Sequence, residues 1–337
     1  METNIVNFVG LDISKLTIDV TVIIHSNFKQ QSYQKFENTK SGIIQLQKWL
    51  FNELALQKSE TVFCMEHTGL YSKIPALQLT HNGNHVWMEL ALHIKRSIGL
   101  QRGANDKVSS ARIAEYAFKN KDQIKIWQAP SESLLIIQEL LALRDRLNGA
   151  KKSLLIPVNE HKDMKNTLVI KTIEKYSIKS IRQIEKNITE IDQQLDKIMG
   201  MDQEIKHPIE LVTSIKGIGK ITALNLLVYT NNFQQYTVGK QLACYCGVVP
   251  FVHKSGTSVN KKPRVSYMAN KNLKKLLHLC ALVAIKNNPE LKQYYERKVS
   301  EGKNKMSVIN AVRNKLVLRI AAVIKRGSPY VDELVSC

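Results

Sequence analysis

The chain has 337 residues, 44% hydrophobic and 7% aromatic, with 49 Lys and Arg against 29 Asp and Glu for a net charge of +20. This length holds two domains and a connector, and the composition excludes a disordered tail. No apolar run approaches the ~20 residues of a membrane span, and the opening METNIVNFVG has no basic segment ahead of an apolar stretch, so neither a membrane protein nor a signal peptide is expected.

The first elements read as strands. Residues 5–13 are apolar and β-branched. Residues 16–24 alternate, with Ile18, Val20 and Val22 against Thr17, Asp19 and Thr21, and a third strand covers 31–37 after a polar turn at Ser26 and Asn27. A period of two predicts a half-buried antiparallel meander. The period then changes, and Ile43, Ile44, Leu46, Leu50 and Leu54 give residues 41–54 a helical face. A short buried strand over 61–65 ends at Glu66. A helix over 71–80, a turn at Asn82-Gly83-Asn84, a strand over 85–88 and a helix starting near Asp106 follow. The order βββ-α-β-α-β-α predicts a mixed sheet flanked by helices over residues 1–130. It is the element order of ribonuclease-H-like nucleases.

Residues 131–205 read as a helical, coiled-coil connector. Leu134, Ile137, Leu141 and Leu147 recur at roughly helical spacing; Ile181, Ile184, Ile188, Ile191, Leu195 and Ile198 step by 3, 4, 3, 4, 3. That a/d pattern suits a two-helix arm pairing within the chain or with a second copy, and equally suits packing inside a domain. Residues 206–330 read as a mainly helical domain. Its "IKGIG" turn, with Gly217 and Gly219 between Lys216 and Lys220, predicts a helix-hairpin-helix whose amides take a phosphate; a turn used only for packing is the alternative. Residues 270–326 are helical and Lys-rich, broken near Asn287-Asn288-Pro289. Cys64, Cys244, Cys246, Cys280 and Cys337 are few and irregularly spaced, which predicts a reduced cytosolic interior. Cys244 and Cys246 alone do not make a zinc site.

The charge is unevenly placed. Residues 251–326 carry 18 Lys and Arg against 3 Asp and Glu, a net of +15, whereas residues 1–130 carry 15 against 11. A polyanion is the expected partner. Lys216, Lys220, Lys254, Lys261, Lys262, Arg264, Lys271, Lys274 and Lys275 are the candidate nucleic-acid contacts. Phosphate contacts of this kind carry no sequence information.

Three acids occupy the positions where such an element order presents them. Asp12 lies in the first strand, Glu66 ends the next central strand, and Asp106 opens a late helix. Carboxylates gathered in this way can hold magnesium, which wants oxygen ligands, for phosphodiester chemistry. Each acid also has a plain structural reading: strand-end cap, surface charge, helix N-terminal anion. Ser255, in "HKSG", is expected in a loop beside Lys261, Lys262 and Arg264. It could attack a phosphodiester, although most Ser-Gly pairs are turns.

The segments "GLDISK", "EHTG", "NDKVSSARIAEYA", "IKGIG", "QLACYCGVVPFVHKSGTS" and "ANKNLKKLLHLCA" resemble the insertion-sequence transposases that join an N-terminal DEDD RuvC-like domain to a C-terminal serine transposase domain. That group includes the Piv invertases and the bridge-RNA-guided recombinases. The resemblance implies Asp12, Glu66 and Asp106 as the first three acids, with Mg2+, and Ser255 as nucleophile. It implies strand exchange on double-stranded element ends and target through a phosphoserine linkage. A composite site in a dimer or tetramer, a structured guide RNA, and a cytoplasmic, nucleoid-associated location are implied as well. The family pattern wants a second acid three residues after Asp106, where this chain has Ser109. Drift, deliberate replacement, or sufficiency of three acids would each account for it; a weakened or inactive enzyme with intact binding is the expectation. The rivals are a RuvC-like structure-specific nuclease using only the carboxylates, and a non-catalytic nucleic-acid-binding protein.

Overall fold

The computed structural model describes residues 4–67, 69–97, 99, 103, 105–163, 167–236, 238–255 and 259–331. The chain divides into two compact units, Met1–Ala129 and Pro130–Cys337. The first is a mixed α/β sheet domain and the second is mostly helical.

In the first unit, β1 (Asn7–Ile13), β2 (Thr17–Ile23) and β3 (Gln31–Glu37) form the antiparallel meander that the alternation predicts. After α1 (Lys40–Lys48) come β4 (Thr61–Glu66), α2 (Leu70–His81) and β5 (His85–Glu89), then α3 (Ala91–Ser97) and α4 (Asp106–Lys119). Strands β4 and β5 add in parallel beside β1, giving the order β3-β2-β1-β4-β5. The strand period sorts side chains into two cores. Val9, Leu11, Val20, Val22, Phe63 and Met65 pack with Ile43, Leu46 and Leu79 on one face. Phe8, Ile23, Val62, Cys64 and Trp87 pack with Ile113, Ala114 and Ala117 of α4 on the other.

This corrects one expectation. Strands β1 and β2 are buried on both faces, with the polar stripe of β2 covered by α4, while β3 stays largely exposed. Asp19 is 2% exposed and Thr21 3%, and the Thr21 hydroxyl shares a 2.8 Å hydrogen bond with that of Ser110. A partner for the polar groups removes the burial penalty that the alternation implied.

Gly10 sets how closely α4 lies on β1. A Cβ there would fall 2.2 Å from the amide nitrogen of Ala114 and 2.2 Å from the carbonyl oxygen of Ser110. Both obstacles are backbone, so the helix itself must move. Gly10→Ala is expected to cost about 1–3 kcal/mol or more, read as a lower midpoint in urea unfolding.

In the second unit, α5 (Glu132–Asp163) and α6 (Thr167–Met201) run antiparallel. Arg144 donates to Asp192 at 2.8 and 3.2 Å, and Lys151 lies 3.5 Å from Glu185. The a/d residues therefore pair within the chain: Ile181, Ile191 and Leu195 are buried, and Leu195 joins a core with Leu134 and Ile137. Helix α5 continues through Pro157. The rest comprises α7 (Gln203–Thr213), α8 (Lys220–Thr230), α9 (Gly239–Tyr245), a hairpin of β6 (Pro250–Ser255) and β7 (Val259–Val265), α10 (Lys271–Asn287), α11 (Pro289–Ser300) and α12 (Lys305–Arg326). Asn288 caps α11, and Pro289 opens it, at the expected break. A second break, between α11 and α12, passes through Gly302 at φ +80°.

Ser255 is not in a loop but closes β6, facing Val259 across the hairpin. Pro250 and the Ser-Gly pair disguised the strand, whose backbone groups are satisfied by β7. Cys244, Cys246, Cys64 and Cys280 are free thiols; burial pushes the Cys246 thiol up to about 12, as suits an inert core side chain. Among the described residues no helix is long and apolar enough to cross a membrane.

Candidate active site

Pairing across the first sheet lines up charge. Asp12 of β1 is opposite Asp19 of β2, and Asp19 is opposite Lys35 of β3. On the other side Leu11 pairs with Met65, which brings Asp12 level with Glu66 one step on, and Glu66 pairs with Glu89 of β5. Residues level across a sheet point to the same face. Lys35, Asp19, Asp12, Glu66 and Glu89 thus form one transverse row over all five strands, on the face that α4 covers. The row lies at the carboxyl ends of the parallel strands β1, β4 and β5.

Helix α4 begins at this row. The Asn105 side chain accepts from the amide of Val108 at 2.8 Å and starts the helix. Its first turn then carries Asp106 and Ser109, three residues apart and on one face. The Lys35 ammonium sits 3.2 Å from Asp19 and 3.6 Å from Asp106. Tyr33 donates its hydroxyl to Asp19 at 2.5 Å. Glu89 is engaged elsewhere: it accepts from Tyr116 at 3.0 Å and lies 2.9 Å from Nδ1 of His93.

The electrostatics identify the centre. Burial raises the Asp12 carboxyl above its ordinary range; the negative charges of Asp106, Glu66 and Asp19 raise it further, and a hydrogen bond from Ser109 pulls the other way. The three acids expected from the sequence do meet at one edge, and Ser109 touches Asp12. Sequence reasoning missed Asp19, Tyr33 and Lys35. Asp19 was assigned to a solvent face; its signal was its register with Asp12 across a short β-turn, which places two acids side by side.

The charge and chemistry of this set suit a hard cation: the acids around Asp12 offer only oxygen. Their spacing is wider than expected. Among the described residues no three of His, Cys, Asp and Glu lie close enough together to hold one ion. Like charges resist closer approach, and Lys35 is interposed between two of them.

Asp12→Asn tests the charge crowding directly. A carboxyl raised in the folded state opposes folding when ionised, so the penalty is complete above its folded pKa and absent below the unfolded value near 3.8. In EDTA at pH 7 the variant is expected to melt a few degrees higher than the parent. The advantage should vanish on acidification through that window, as thermal melts at a series of pH values will show.

The nucleic-acid candidates lie in the second unit. Lys216 and Gly217 fall between α7 and α8. Gly217 has φ +101°, and a Cβ there would meet Ala284 of α10 at 2.7 Å, so this glycine serves internal packing. Gly219 caps α8 with open space where its Cβ would be. Lys220 pairs with Asp196 at 2.6 Å. Lys271, Lys274 and Lys275 occupy the first turns of α10. Arg264 is exposed on β7, opposite Phe251. The side chains of Lys254, Ser255, Lys261 and Lys262 lie outside the described residues.

An acid-edged mixed sheet and a strongly basic helical unit suit a protein with a polyanionic partner, and comparison with known proteins narrows it. A transposase model of the DEDD type matches residues 9–156, and the model described as "Transposase IS116/IS110/IS902 family" matches 209–296. The chain is 27% identical to a pilin gene-inverting protein of Moraxella bovis over 331 residues, covering 96% of this chain and 97% of that protein; the Moraxella lacunata protein of that name matches equally. An uncharacterized 43.6 kDa protein of insertion element IS110 from Streptomyces coelicolor is 28% identical over 131 residues, 38% of this chain and 32% of that protein. The chain belongs to the IS110/IS116/IS902 family of transposases, and is thus a DNA transposase or recombinase.

Proposed function

We propose that this protein cuts and exchanges DNA strands through a serine–phosphodiester intermediate, directed by a structured RNA. The observation that supports it is the convergence of Asp106, Glu66 and Asp19 on the half-buried carboxyl of Asp12, from positions far apart in sequence. The sheet order, with an antiparallel meander extended by two parallel strands, favours the ribonuclease-H-like reading of the first unit.

In this reading Asp12, Glu66 and Asp106 would draw together around Mg2+, which would supply positive charge to the phosphoryl oxygens undergoing displacement. Ser255 is the nucleophile. Its oxygen bonds to phosphorus as the bond from phosphorus to the deoxyribose oxygen breaks, and a proton passes in net from the serine to the leaving oxygen. One phosphodiester replaces another, so the linkage remains available for rejoining. Lys261, Lys262 and Arg264, with Lys254, hold the phosphates near the serine by charge. Lys216, Gly219, Lys271, Lys274 and Lys275 extend that surface. A dimer or tetramer lets one subunit's serine act with another's acids. Ser109, in place of a fourth acid, leaves the copy weakened while binding stays intact.

The test is incubation with the element's ends and Mg2+, with and without RNA transcribed from the flanking region. Denaturing gels should reveal a protein–DNA adduct that depends on the RNA. An equal yield without RNA removes the guide from the scheme. Tight, salt-sensitive binding with no cleavage, even after Ser109→Asp, would leave a binding protein.

A further inference from the structure

We propose that Lys35 is a tethered cation of the acidic edge, held by Asp19, which competes with the divalent ion for Asp106. This rests on the metal reading above and adds to it a residue that sets how readily the ion enters.

Lys35 stands on β3, the edge strand of the sheet, with its side chain 46% exposed. The Asp19 side chain is only 3% exposed. A buried carboxylate needs partners, and Asp19 has two: the Tyr33 hydroxyl at 2.5 Å and the Lys35 ammonium at 3.2 Å. It is therefore an anchor rather than a free ligand. The Tyr33 ring in turn lies under the Lys107 ammonium, 5.0 Å from the ring centre, which ties the anchor to the first turn of α4. From this tether Lys35 reaches Asp106 at 3.6 Å. The Asp106 side chain is 66% exposed, so its carboxylate is open to solvent apart from that contact.

The consequence is electrostatic. Near the row stand Asp12, Glu66, Asp106 and Asp19, with Ser109 contributing no charge. Lys35 cancels one of these negative charges, and its ammonium repels any cation approaching Asp106. A unit charge and a divalent ion about 6 Å apart, in a dielectric close to that of water, change affinity roughly tenfold. The exposure of Lys35 argues for the high dielectric.

Titrating the full-length protein with Mn2+, by calorimetry or by loss of the free-ion electron paramagnetic resonance signal, tests this without any strand chemistry. Lys35→Met should tighten Mn2+ binding about tenfold, and Lys35→Arg should restore the parental affinity. If Lys35→Met folds poorly because Asp19 loses a partner, Asp19→Asn with Lys35→Met leaves no buried charge unpaired and should also bind Mn2+ more tightly. Equal affinity in all folded variants overturns the proposal and leaves the metal reading standing. No Mn2+ binding by any of them overturns both.

Discussion

Ser255→Ala is expected to abolish the covalent protein–DNA adduct and to slow strand exchange by about a thousandfold or more, the scale of losing a nucleophile, with DNA affinity unchanged. The serine closes β6, paired with Val259 of β7. A nucleophile gains from such placement, because orientation fixed beforehand removes entropy from the barrier. The hairpin is also rich in positive charge, with Lys254, Lys261, Lys262 and Arg264 and no acid within eleven residues. Removing one hydroxyl leaves those cations in place, so binding, which is mostly phosphate neutralisation, should persist. The two readouts together separate the mechanisms. Cleavage at the parental rate, with no adduct in either protein, would mean the carboxylates act alone as a nuclease. Loss of binding together with cleavage would mean the serine supports the hairpin and not the chemistry.

The meander, the period change at residue 40 and the strand ending at Glu66 were legible because periods of two and of 3.6 are local properties. The acid edge was legible in part. Asp12, Glu66 and Asp106 could be placed from element order, since each ends or begins an element. Asp19 could not, because its burial depends on α4 crossing the sheet some ninety residues later, and that crossing depends on the missing side chain of Gly10. Lys35 read as one more exposed lysine on an edge strand, which is what such a strand commonly carries; only the register with Asp19 reveals its second role. In the second unit the a/d pattern left open whether the helices pair within the chain, and the ion pairs Arg144–Asp192 and Lys151–Glu185 settle that. Ser255 was misplaced because proline and Ser-Gly signals outweighed a strand whose pairing with β7 is not a local property.

Ser109→Asp is expected to raise Mg2+-dependent strand cleavage by about tenfold or more, the usual scale when the ligand set around a metal is altered. The same change should have opposite effects on stability with and without the ion. The Ser109 hydroxyl lowers the Asp12 pKa, and an aspartate removes that donor. It also adds a negative charge beside an acid already crowded by three others. Against this, an acid in the first turn of α4 gains about 0.3–1 kcal/mol from the helix dipole. The losses outweigh that gain, so in EDTA the variant should melt below the parent. With Mn2+ or Mg2+ the added carboxylate would help Asp12 and Asp106 hold the ion, and the variant should gain more in melting temperature than the parent does. A variant that melts lower under both conditions, and cleaves no better, would mean that the serine is the residue this edge is built around, and that three acids with Lys35 beside them are the complete site.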